Sequence, residues 1–121
     1  MKIYIRGSNN SRNLYRSIQK SPYFTATDFF EYGNDLFTNQ YSKDDIDKLL
    51  QFLKAIERTE YVYEVTCDLA YNGIYVSCEG QYTEDVLRDV MRTSKSFGID
   101  IRNSTLDDYY GDGNIAFGYL L

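Results

Sequence analysis

Residues 60–80 read EYVYEVTCDLAYNGIYVSCEG. Two runs rich in β-branched and aromatic residues flank Asn72-Gly73. That dipeptide is the strongest two-residue hairpin signal, because a type I′ turn needs positive φ at both central positions. A two-residue turn there sets Tyr71 opposite Ile74, Leu69 opposite Val76 and Cys67 opposite Cys78. Alternation then puts Tyr63, Val65, Cys67, Leu69, Ile74, Val76 and Cys78 on the inward face. Glu64, Thr66, Asp68, Tyr75, Ser77 and Glu79 point the other way. The chain has two cysteines and no histidine, so this pair makes no metal or redox motif. Directly opposed cysteines could form a disulfide. The expected reducing compartment favours two buried thiols acting as small hydrophobes.

Outward from the hairpin, helical periodicity takes over on both sides. Residues 42–58 (SKDDIDKLLQFLKAIER) predict a helix with Ser42 as N-cap and Asp45 in the capping-box position. Asp44, Asp45 and Asp47 are read as first-turn acids that suit the helix dipole, not as a metal site. Residues 83–97 (TEDVLRDVMRTSKSF) predict a second helix, capped by Thr83 and stopped by Gly98. Val86, Leu87, Val90, Met91 and Phe97 form its apolar face. Further out, KIYIR (2–6) alternates as a strand, and residues 10–20 place Leu14, Tyr15 and Ile18 at helical spacing. Pro22 ends that helix. The aromatic segment 23–41 carries no firm assignment, although Thr27 or Asp28 could start a short helix that stops at Gly33. Residues 99–102 and 114–121 read as strands, with a Gly/Asp-rich turn between them. The order implied is a single α+β domain, residues 1–121. Its fold class is ferredoxin-like, a split β-α-β-β-α-β antiparallel sheet with two main helices on one face, an aromatic insertion and an extra C-terminal strand.

Composition bounds the function. Of 121 residues, 43% are hydrophobic and 17% aromatic, which excludes disorder. No apolar run approaches the ~20 residues of a membrane span, and the first residues show no signal-peptide pattern. A cytoplasmic protein is therefore expected, in the host cytoplasm if phage-encoded. The net charge of −5 is unevenly spread: residues 1–20 hold five bases and no acid, and the remainder eight bases and 18 acids. Thirteen tyrosines suit either a half-buried rim or a contact face.

Three motifs carry chemistry on paper. Tyr4-Ile5-Arg6-Gly7-Ser8 resembles the Tyr-x-Arg-x-Ser segment of serine recombinases, which implies Ser8 as a nucleophile and Arg6 as a phosphate clamp. The later arginines of that family have no counterpart here. Tyr4 and Tyr75 resemble in placement the base-stacking aromatics of RNA-recognition domains. The flanking basic and glycine residues of that motif are absent, since the strand reads NGIYVSCEG. The loop from Asp107 to Asn114 resembles part of a calcium loop, but from Asp108 position 3 is Tyr110 and position 12 is Tyr119. No cofactor and no metal is expected. Without histidine or a catalytic set, enzymatic activity is not expected either.

Two functional expectations remain. The first is a non-enzymatic acidic protein-binding module, contacting a basic partner protein through Tyr75, Glu79, Asp107, Asp108, Tyr109, Tyr110 and Asp112. An inhibitor encoded by a phage or mobile element, of the anti-CRISPR or anti-restriction type, would dock this way on a basic nucleic-acid-binding surface. The second is a nucleic-acid binder using Tyr4, Arg6, Arg12, Arg16 and Lys20. A homodimer through an exposed edge strand is open to either.

Overall fold

The computed structural model describes residues 1–5, 11–31, 41–109 and 111–121. The elements run β1 (Lys2–Tyr4), α1 (Ser11–Gln19), β2 (Phe29–Glu31), α2 (Lys43–Glu57), β3 (Val62–Asp68), β4 (Gly73–Glu79), α3 (Thr83–Phe97), β5 (Asp100–Tyr109) and β6 (Asp112–Leu120). The fold is α+β, and its six strands form one mixed sheet in the order β2-β1-β3-β4-β6-β5. β1 pairs in parallel with both β2 and β3, and the other pairs are antiparallel.

This order corrects the ferredoxin-like expectation. In a split βαβ unit a further strand lies between the parallel pair. Here β1 and β3 are direct neighbours, Ile3 facing Cys67. β4 pairs on its other side with β6, not with β1. The aromatic segment also differs from its reading: Phe29–Glu31 is an edge strand, not a helix. Its inward Phe30 meets Tyr15 of α1 edge-on at 4.4 Å. That contact places α1 on the same face of the sheet as Ile3.

α2 forms because Ser42 and Asp45 exchange the two capping-box bonds, 3.1 and 3.2 Å long. It buries Ile46, Leu49, Leu50, Phe52, Leu53 and Ile56. α3 begins at Thr83, but its N-cap is Tyr82. The Thr83 hydroxyl instead donates to the Gly80 carbonyl at 2.7 Å. Gly98 ends α3 at φ 69°, where a glycine carries no Cβ penalty. Met91, expected in the core, is exposed. The core lies between the helices and one sheet face, and includes Ile3, Ile5, Val65, Cys67, Ile74, Val76, Ile115 and Phe117.

The hairpin is present, but its register differs by four residues from a two-residue turn. Thr66 faces Tyr75, Cys67 faces Ile74, and Asp68 faces Gly73. Only Asn72 of the Asn-Gly pair takes positive φ, 50°. Three tertiary bonds select the longer loop. The Leu69 N–H donates to the Tyr4 carbonyl at 2.8 Å and the Tyr119 N–H to the Asn72 carbonyl at 3.1 Å. The Tyr41 hydroxyl lies 2.9 Å from the Leu69 carbonyl, within reach also of Asn72 and Tyr119. An even slip keeps each side chain on its face, so the inward set survives. Tyr63 is the exception: the register shifts between Val62 and Glu64, and this bulge turns Tyr63 outward. The cysteines are no longer opposed, since Cys78 faces Val62; both are buried free thiols.

Behind β1 lies a compact ionic cluster. Lys54 Nζ sits 2.8 Å from both carboxylate oxygens of Asp28 and 3.6 Å from Glu57. The Met1 ammonium is 3.4 Å from Asp28 and 2.8 Å from Glu57.

Candidate functional site

Among the described residues, the helices cover one face of the sheet and leave the other to solvent. On that open face each strand contributes alternate residues. β4 presents Tyr75, Ser77 and Glu79, and β6 presents Asp112, Asn114 and Ala116. On β5, Thr105, Asp107 and Tyr109 occupy the matching register positions. The ladder pairs Glu79 with Asp112, Asp112 with Tyr109, Ser77 with Asn114, and Asn114 with Asp107. Neighbouring strands are about 4.8 Å apart. Glu79, Asp107 and Asp112 therefore share one end of the face, and none of them has an ion-pair partner among the described residues.

Two tyrosines border this acidic end. Tyr63, on the bulge, is 64% exposed. Partial desolvation, together with the negative charges of Glu79 and Asp112, pushes its hydroxyl above the ordinary value. Tyr75 is 50% exposed. Its ring lies over Gly73: a Cβ there would come within 3.3 Å of the Tyr75 hydroxyl oxygen. A ring resting on glycine backbone is held in place while one face stays in water, which lowers the entropy lost when it docks. Beside them Lys2 and Glu64 neutralise each other at 2.8 Å.

The segment 103–113, expected as a turn, is mostly strand. β5 continues to Tyr109 and pairs with Asp112. This pairing is what places Asp107 diagonally from Asp112, at the same end of the face as Glu79. Tyr110 lies outside the described residues, as do the side chains of Asp108 and Tyr109. Sequence reading missed Tyr63, because alternation alone placed it inward and the bulge has no local sequence mark.

The residues of the nucleic-acid reading are not brought together. Tyr4 and Tyr75 are both on the open face, but β3 separates their strands. Tyr4 faces Asp68 across the ladder and packs edge-on against Phe29 at 6.3 Å. Arg16 and Lys20 are exposed on or just after α1, on the opposite side of the sheet. Arg6 and the side chain of Arg12 lie outside the described residues. So does Ser8, so the recombinase-like segment has no described geometry.

No grouping of three or more metal-ligating side chains occurs among the described residues, and none of their helices is long and apolar enough to cross a membrane. Compared with known proteins, the chain matches no family model, no curated protein and no solved structure.

Proposed function

We propose that this protein is an acidic binding module that docks the open face of its sheet on a basic surface of a partner protein. The observation that carries the reading is the gathering of Glu79, Asp107 and Asp112, without ion partners among the described residues, at one end of the sheet face away from the described helices, with Tyr63 and Tyr75 on the β3–β4 side. Exposed tyrosines supply contact area at low entropic cost, and uncompensated carboxylates steer toward positive charge. A basic surface of that kind commonly holds nucleic acid. The module would then block it, in the manner of an inhibitor carried by a phage or mobile element.

The test is a pull-down with a C-terminal tag, because the Met1 ammonium is engaged by Asp28 and Glu57. Wild type is compared with Tyr75→Ala/Glu79→Lys/Asp112→Lys after nuclease treatment. The expected result is a basic protein held by wild type and released from the triple variant. Equal retention by both proteins, or recovery of nucleic acid alone, would overturn the reading.

A further inference from the structure

We propose that the outer edge of β5, with the cleft between β5 and α3, receives an extended basic peptide segment by strand addition. β5 is the outermost strand on its side of the sheet, and among the described residues no strand lies beyond it. It is ten residues long, so it offers a long row of main-chain groups. Native edges are usually shortened, or blunted with lysine or proline. β5 has neither residue. It carries instead a bulge between Arg102 and Thr105, with Asn103 at φ 51°. Residues 105–109 beyond the bulge pair regularly with β6 and, among the described residues, leave their other edge open.

The helix side of that edge is not flat. A cleft of about 460 Å3 runs between β5 and the start of α3, with Leu106, Gln81, Glu84 and Arg88 among its lining. Leu106 faces this side because it pairs with the buried Ile115. It is nevertheless 44% exposed, an apolar floor without a cover. A strand added to β5 would send alternate side chains into the cleft over Leu106, and the others onto the open face beside Asp107. Main-chain bonds then give affinity, and the alternating pockets give specificity.

Charge selects the occupant. Arg88 is engaged by Asp85, whereas Glu84 and Asp107 have no ion partner among the described residues. The segment that fits is therefore basic at alternate positions, with an apolar residue over Leu106. A second copy of β5 fits poorly, since Asp100, Asp107 and Asp108 against one Arg102 would set net negative charge against itself. The inference shares with the open-face reading the sign of the partner's charge and Asp107, whereas Leu106 and Glu84 belong to the cleft alone.

The probe is a library of random 12-residue peptides displayed on phage and selected on the immobilised protein. Enriched peptides should carry Lys or Arg at alternating positions. In fluorescence anisotropy a labelled representative should lose at least tenfold in affinity against Leu106→Lys and Glu84→Lys. Methylating its alternate backbone nitrogens should abolish binding. Tyr75→Ala should leave it within twofold, which separates this edge from the open face. Both cleft substitutions are at solvent-exposed positions, and unchanged thermal midpoints would confirm that the variants fold. The proposal is overturned if no peptide is enriched, or if the winners lack the basic alternation. It is equally overturned if they ignore the β5 and cleft substitutions, or if sedimentation shows that β5 already pairs two copies.

Discussion

Asp28 is the most informative single site for stability. Its side chain is 2% exposed and contacts Lys54, itself 12% exposed, and the Met1 ammonium. It also accepts from the Thr25 N–H at 2.7 Å and from the Thr25 hydroxyl at 3.2 Å. With Glu57 the cluster holds two cations and two carboxylates, and is neutral. Asp28→Asn keeps the shape and removes one charge, which leaves two cations facing one carboxylate. Breaking a buried pair in this way costs about 3–5 kcal/mol. Glu57 is partly in water and still serves both cations, so the lower end, about 3 kcal/mol, is expected. With an unfolding entropy of roughly 2.1 cal/mol/K per residue, that corresponds to a fall of about 12 °C in Tm. Lys54→Met added to Asp28→Asn restores neutrality, so the double variant should recover about 2 kcal/mol relative to the sum of the singles. The pH dependence has a definite sign. Burial works to raise the Asp28 pKa, but the Lys54 bond, the Thr25 N–H and the nearby cations outweigh it and hold the carboxyl below 3.8. Its stabilisation is therefore present above the unfolded value near 3.9, and is lost as pH falls through the lower folded value. The gap between wild type and Asp28→Asn, measured by urea denaturation, should be full at pH 6 and close below pH 4. A cost under about 1 kcal/mol, or strictly additive singles, would refute this account of the cluster.

Three other outcomes follow from the packing. A Cβ on Gly113 would lie 2.0 Å from the Thr83 hydroxyl, which is held by its bond to Gly80; Gly113→Ala should cost about 1–3 kcal/mol in urea denaturation, and less than additively with Thr83→Ala. Tyr41→Phe removes the hydroxyl that reaches Leu69, Asn72 and Tyr119, so about 1–3 kcal/mol should be lost, with faster amide exchange at residues 69–73. Burial pushes the Cys67 thiol up to about 12 from its ordinary 9, and Tyr41 and Tyr119 rise in the same direction. The unfolded thiol ionises first, so stability should fall as pH climbs from about 9 toward 12; urea midpoints should drop less steeply for Cys67→Ala.

The parts legible in the sequence are those whose reasons are local. The Ser42–Asp45 box, the Gly98 stop and the period of α2 and α3 each depend on residues within a few positions. The inward face of the hairpin was also legible, because alternation survives an even slip. The register was not, because it is chosen by Tyr4, Tyr41 and Tyr119, which are distant in sequence. The start of β5 is legible as the strand 99–102, but its outer part reads as a turn, because one of its edges and most of its side chains face water and NSTLDD has no apolar period; only pairing with β6 makes it a strand. The same gap explains the site. Glu79 and Asp112 stand out in the sequence as acids in a tyrosine-rich chain, but their meeting depends on a ladder with no local signature. Tyr63 was misplaced for a comparable reason, a bulge set by the β3–β4 mismatch.

β6 is the latest of the six strands in the sequence, yet it lies between β4 and β5 inside the sheet. During synthesis β4 therefore waits with one edge bare, and β5 has no neighbour at all, until residues 112–120 leave the ribosome. The core cannot close from the N-terminus onward. Closure of the sheet is therefore held until β6 is available, and before it the β4 and β5 edges stay open to misassembly.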